Sequence, residues 1–473
     1  MNKTAGVLAV VCVLSAAASA AADMPRVTSY EIDLTFEAED PRIVARTDIT
    51  FLPGTVPSDT LTFYLHGELW VDEARLEGHP VEVEQDLVFY SADYSSVARR
   101  CRIDLKARKS PESLSVDYSG RLNPSVSQAP SNYMRVDPDG VFLRSYGYSV
   151  WFPTFLEPDS DTYPVDAEVR IRTPADFLAI VTGERLSDET EGDTRVSRWR
   201  TVQEDLFNLQ LTARRFEFQK ESETYLYFLR DAASRSAADE ILGFTRELKQ
   251  FYQTNYSGDA AGAQLHVVQM PRFGDISSGN MVGISDRVWR DFERASYSGR
   301  TLAHELVHPH VQLAVPRDGE FYALVIEGFP SYFHLPAMAS LIGEDWYDSY
   351  IEANLEGYVE RRRTGLDRRG NPLPPEKPLA EMTADDIGTY KDRFVLSDRV
   401  RLFFDWLRRR MGSEDFNRFT RELFSRQSLD FESFTALTEK HLPGSTEGVT
   451  LWLRTTEFPD RFKPRLNSPS NEE

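Results

Sequence analysis

The spacing of apolar residues changes near Lys220, and that change limits what this chain can fold into. From about Val27 to Lys220, short runs such as SYEIDLTFEA, ARTDITFL, DTLTFYLHG and AEVRIRTP alternate apolar and polar positions between clusters of Gly, Pro, Asp and Asn. Alternation at period two places one side of a strand in a core and the other in water, so residues 23–220 are expected to form a β-rich domain. Beyond Lys220 a strand-like TYLYFLR leads into AADEILGFTRELKQFYQTNY, where Ile241, Leu242, Phe244, Leu248, Phe251 and Tyr252 share one helical face. Two further strand-like runs follow, AQLHVVQM and NMVGISDRV. Mainly helical patterns then run through GFPSYFHLPAMASLIG and VLSDRVRLFFDWLRRRMG. The expectation is an α+β chain: a β-rich N-terminal domain, a second domain over 221–463 with its sheet first and helices after, and a mobile tail over 464–473.

The first 22 residues put one lysine before an Ala/Val/Leu run that ends in small residues, the layout of a secretory leader cleaved near Ala20 or Ala22. Export to the periplasm or the extracellular space is the expectation, with no stable membrane span after cleavage. An uncleaved anchor is the alternative, but the run is mostly alanine and only about as long as the shortest spans. A lipoprotein would need a small residue before Cys12, where Val11 stands. Without the leader Cys101 is the only cysteine, which rules out an internal disulfide and fits a small buried hydrophobe. An excess of 75 Asp plus Glu over 54 Lys plus Arg repels phosphates and argues against nucleic acid as a partner. The basic run RRRTGLDRRG at 361–370 is expected to be solvated loop surface, and Pro-rich NPLPPEKPL a surface connection. His66 and His79 are isolated and are expected to be structural.

Residues 301–311 read TLAHELVHPHV. On an α-helix, residues four apart share a face, so His304 and His308 can aim ring nitrogens at one ion with bonds of about 2.0–2.1 Å. Glu305 projects in an adjacent direction, where it can sit over a metal-bound water without being a ligand. A catalytic zinc takes three protein ligands and keeps one position for water, so a third ligand is required from a nearby helix. Nineteen residues beyond His308, in VIEGFPSYFHL, Glu327 begins a helical segment and can close a His, His, Glu set. Pro309 removes a helical N–H and disfavours helical geometry at His308, so the motif helix is expected to kink or end there. His310 is turned away from the shared face and is expected at the rim, or supporting a ligand from behind, rather than among the ligands.

H-E-x-x-H, eighteen intervening residues, then E-G-F followed by S-Y-F resembles the aminopeptidase N family of gluzincin zinc peptidases. The resemblance implies a saddle-like β domain followed by a thermolysin-like catalytic domain that acts on peptide or protein substrates. It implies one Zn2+ held by His304, His308 and Glu327, with Glu305 as general base and then general acid. It also implies a tyrosine roughly sixty residues after the glutamate ligand that donates a hydrogen bond to the developing oxyanion. Tyr390 in GTYKDRFVLSDRVRLFFDWL matches that place, opening a helix rich in apolar residues, and a phenol stays neutral at pH 7.

One departure concerns substrate recognition. Where the family carries G-A-M-E-N, whose glutamate binds the substrate's free amino terminus, this chain reads SSGNMVG at 277–283, with Gly279 and Asn280 at the substrate-binding positions. Asparagine can accept a hydrogen bond from an ammonium but brings no charge, which weakens the expectation of aminopeptidase action. The strand itself is expected to pair with substrate backbone. His310 and Ile326 replace the family's tryptophan and asparagine beside the ligands. The alternative to a zinc peptide hydrolase is an exported peptide-binding scaffold that keeps the peptidase fold without turnover.

Overall fold

The computed structural model describes residues 24–457 apart from 58, 91–95, 106–110, 123–133, 145–149, 156–163, 206–208, 258–263, 271–274, 312, 314, 317, 368 and 392–394. The leader-like residues 1–22 and the tail 464–473 lie outside the described residues. The chain divides into two compact units, one up to Phe218 and one from Gln219. The division falls inside the strand Phe216–Glu221.

The first unit is built from strands. Its largest sheet has eight, in the order Glu184–Glu191, Thr194–Asp205, Pro164–Pro174, Val27–Glu37, Arg42–Phe51, Ser113–Gly120, Leu69–Leu76 and His79–Val81. Smaller sheets of four and three strands complete it. The period-two alternation has its physical counterpart here: Tyr30, Ile32, Leu34 and Phe36 are buried on one face of Val27–Glu37. Ile32 stands opposite Val169 in the parallel neighbour and Thr47 in the antiparallel one. Thr47 is buried but not orphaned, because its hydroxyl lies 3.2 Å from that of Tyr118. His66 is also buried, its Nδ1 accepting from the Glu68 N–H at 3.2 Å, and burial pushes its pKa down to about 4.

Cys101 is 0% exposed, and burial pushes its thiol up to about 12. A raised pKa keeps the protonated thiol at neutral and mildly alkaline pH, and the thiolate is the reactive form. Native protein at pH 8 is therefore expected to resist a disulfide thiol reagent, and to take up one equivalent at this position after denaturation. Rapid labelling of the native state would contradict this.

The second unit opens on a five-stranded sheet in the order Phe216–Glu221, Thr224–Leu229, Leu265–Met270, Met281–Ser285, Ile276–Ser278. Thr224–Leu229, Leu265–Met270 and Met281–Ser285 run parallel, and Ile276–Ser278 closes the edge antiparallel. The helix Ala232–Tyr252 crosses between the first two parallel strands, capped by Asp231, whose carboxylate accepts from the Ser234 N–H at 2.9 Å. Ile241, Phe244, Leu248 and Tyr252 form its buried stripe, with Leu242 and Phe251 half-buried at the flanks. Helices Phe329–Ile342, Glu344–Thr364, Val395–Met411, Ser413–Phe424, Phe431–His441 and Thr446–Arg454 follow, enclosing an aromatic core in which Phe333 meets Phe404 and Phe424. This is the expected α+β order, β-rich first and helical last.

The basic run at 361–370 differs from expectation. Arg361, Arg362 and Arg363 finish the helix Glu344–Thr364, and Arg361 is buried in an ion pair with Asp398. Three arginines suit a helix C-terminus electrostatically, and Tyr358 and Arg361, three apart, are both buried on one face.

Candidate metal centre

The strand next to the edge of the second unit's sheet leads towards the motif. Met281–Ser285 runs into the short helix Asp286–Arg290, and the helix Tyr297–Glu305 follows. Ser296 begins that helix by accepting from the Ser298 N–H at 3.1 Å. Gly299 admits no side chain, since a Cβ there would overlap the Arg294 carbonyl.

The helix ends at Glu305, earlier than Pro309 alone suggests. The Val307 N–H turns back to His304 O at 3.0 Å, an i to i−3 bond, and His308–His310 form a 3₁₀ turn with the proline at its centre. His308 thus lies beyond the α-helix rather than on its face. Proline disfavours the α region at the preceding residue, and the tighter winding begins before it. The two rings still meet, with centroids 5.2 Å apart at 75°.

Glu327 lies in a π turn, Leu324–Gly328, immediately before the helix Phe329–Ile342. Pro330 has no N–H to offer the Ile326 carbonyl, and the Phe329 N–H reaches Leu324 O, five residues back. Gly328 allows Val395–Met411 to pass close: a Cβ at this position would lie 3.1 Å from Val400 Cγ2. The motif helix packs against Phe329–Ile342, which brings the third donor to the histidines.

One ligand atom from each of His304, His308 and Glu327 lies within 4.8 Å of the others. His304 Nε2 is 3.7 Å from Glu327 Oε2. Donors about 2.1 Å from a tetrahedral zinc stand about 3.4 Å apart, so two imidazoles and one carboxylate at this separation fit the ion with little adjustment. Glu305 is 7% exposed, with its Oε2 3.9 Å from His308 Nε2. It borders the donor set without belonging to it.

His310 packs against Tyr252, with centroids 5.4 Å apart, and burial, helped by the Lys249 charge, pushes its pKa down to about 4. It is absent from the group of converging donor atoms. Tyr390 is the penultimate residue of a short helix, Ala384–Lys391, and does not open the long apolar helix, which starts at Val395. Its side chain lies outside the described residues.

SSGNMVG forms a hairpin rather than one strand. Ser278 pairs with Met281 across a two-residue turn in which Gly279 takes φ 51°, a value that favours glycine at the first central position. The Asn280 amide donates to Gln264 O at 2.5 Å. Asn280→Ala is therefore expected to loosen the turn by about 1 kcal/mol while leaving hydrolysis of a peptide unchanged. A selective loss of activity on substrates with free amino termini would place Asn280 in the substrate site. The edge strand Ile276–Ser278 does lie against the His308–His310 turn, so the sheet edge borders the metal centre.

Sequence reasoning passed over His334, whose buried ring meets His304 edge to face with centroids 5.8 Å apart. The only trace in the sequence is its place seven residues beyond Glu327, about two helical turns.

No family model and no curated protein matches the chain. Among solved structures, the M1 zinc metallopeptidase of Deinococcus radiodurans is similar with a TM-score of 0.64 at 16% identity, over 92% of this chain and 95% of that one. A mutant of that protein bound to a Tyr-Ser-Ala substrate aligns at 17% identity with a TM-score of 0.64 over the same shares. Native yeast LTA4 hydrolase is similar with a TM-score of 0.64 at 15% identity, over 92% of this chain and 68% of that one. The chain therefore has the two-domain fold of the M1 zinc metallopeptidases.

Proposed function

We propose that this chain is an exported zinc-dependent peptide hydrolase of the gluzincin type. The observation that carries the reading is the convergence of His304, His308 and Glu327 donor atoms within 4.8 Å, with the Glu305 carboxylate beside them. Zn2+ held by those three residues would supply the Lewis acidity that polarises a peptide carbonyl and acidifies a water molecule. Glu305 takes a proton from the attacking water and delivers it to the leaving amine as the C–N bond breaks. Its burial suits the task, because a carboxylate shielded from bulk water keeps the proton for the amine rather than losing it to solvent. Tyr390 is assigned the oxyanion-stabilising hydroxyl on the family resemblance alone. The leader-like first 22 residues support export, and among the described residues no helix is long and apolar enough to cross a membrane.

The test of the donor set is metal content. Protein purified without chelator is expected to hold one zinc per chain. Glu327→Ala, which removes a ligand, is expected to weaken zinc binding by at least about 100-fold. Wild-type protein that neither carries zinc nor binds it on titration would defeat the reading. Whether cleavage begins at an amino terminus is decided by one peptide offered with free and acetylated ends. The Asn280 amide is committed to Gln264, so nothing at that position supplies a charge for a free amine.

A further inference from the structure

His334 lies on the helix that follows Glu327, and its side chain is withdrawn from solvent. Its Nδ1 is 2.8 Å from the Pro330 carbonyl oxygen. A carbonyl only accepts, so Nδ1 carries the proton and the ring orientation is fixed by backbone of the glutamate-bearing segment. The same ring meets the His304 imidazole at 71°, and His304 meets His308 at 75°. Three imidazoles therefore stand in succession, the outermost tied to the chain of Glu327 and the inner two offering donor atoms.

We propose that His334 is a positioning residue for the metal centre, whose backbone-anchored ring holds the His304 imidazole in the rotamer that aims Nε2 at the Glu327 carboxylate. The proposal rests on the reading that His304, His308 and Glu327 hold zinc. The physical reason is geometric. An imidazole on a side chain with two rotatable bonds binds a metal well only if the ring is held before the metal arrives, and an edge-to-face contact with a fixed ring does that. The contact also makes the position of His304 depend on the position of Glu327, because His334 is anchored one turn into the segment that carries the glutamate.

The test is zinc affinity, measured by competition with a chromophoric chelator, together with the visible spectrum of the Co2+-substituted protein. His334→Ala is expected to weaken zinc binding by about 10–100-fold and to alter the Co2+ bands. His334→Phe, which keeps a flat ring against His304, is expected to recover at least about half of that loss on a logarithmic scale and a spectrum near that of wild type. Should the alanine variant not fold, His334→Leu takes its place, filling the volume without a flat ring. An alanine or leucine variant with wild-type affinity and spectrum overturns the proposal, as does a phenylalanine variant no better than either. Wild-type protein that binds no zinc would instead overturn the metal reading itself.

Discussion

Glu305→Gln is expected to lower peptide hydrolysis by about 10²–10⁴-fold while zinc content stays at one per chain. The glutamine matches the glutamate in shape, so the buried position should be filled as before. What is lost is the ability to take a proton from water and return it to the amine. Glu305 lies outside the set of converging donors, although its Oε2 is only 3.9 Å from His308 Nε2, so the substitution separates proton transfer from metal binding. Turnover measured on a peptide mixture, with zinc determined on the same samples, reads both effects. An active variant would remove Glu305 from the mechanism. A variant as inert as a wild type that also holds stoichiometric zinc but cleaves nothing would favour the peptide-binding scaffold.

The second large effect is on stability, at Asp398. Its side chain is fully buried between Arg361 and Arg401, with Arg401 Nη1 3.2 Å from Oδ1. Arg401 also donates to the Ser331 carbonyl at 3.0 Å and to the Asn354 side chain at 3.2 Å. Asn354 in turn donates to the Asp398 carbonyl at 3.1 Å. The neighbouring Arg399 is buried as well, with Glu376 accepting from it at 2.8 Å and Trp452 O at 3.0 Å. Through Arg401 the carboxylate thus ties Glu344–Thr364 and Val395–Met411 to Phe329–Ile342, the helix that follows Glu327. Such a pair gains little over a well-packed apolar core, but removing one partner strands buried charge. Asp398→Ala leaves two guanidinium groups without their acid and is expected to cost about 3–5 kcal/mol. Calorimetry should show the second unit melting roughly 10 °C lower. A shift of a degree or two would mean that the arginines reach water once the acid is gone.

Local spacing made a large part of this architecture readable. The change from alternating to helical periodicity separates strand from helix because side-chain direction repeats every two residues in one and every 3.6 in the other. The H-E-x-x-H motif and Glu327 were readable for a similar reason, since a donor set spaced along two adjoining segments leaves its mark in the sequence. What escaped depends on partners far away in the chain. The helix ending at Glu305 reflects how the 3₁₀ turn is accommodated, not Pro309 in isolation. Asn280 turns to Gln264 because Gly279 makes a hairpin there, which strand-like spacing could not reveal. Arg361 sits in a run that reads as solvated surface, and only the fold brings it to Asp398. His334 looks like one more position on an apolar helix until Pro330 and His304 are placed on either side of it.

Dependence of peptide hydrolysis on added zinc tests the central claim most directly. Protein stripped of metal and titrated with Zn2+ should gain the ability to cleave members of a mixed peptide library, with activity levelling off at one zinc per chain. Cleavage that persists at full strength in the stripped protein, or none at all with one zinc bound, would contradict it.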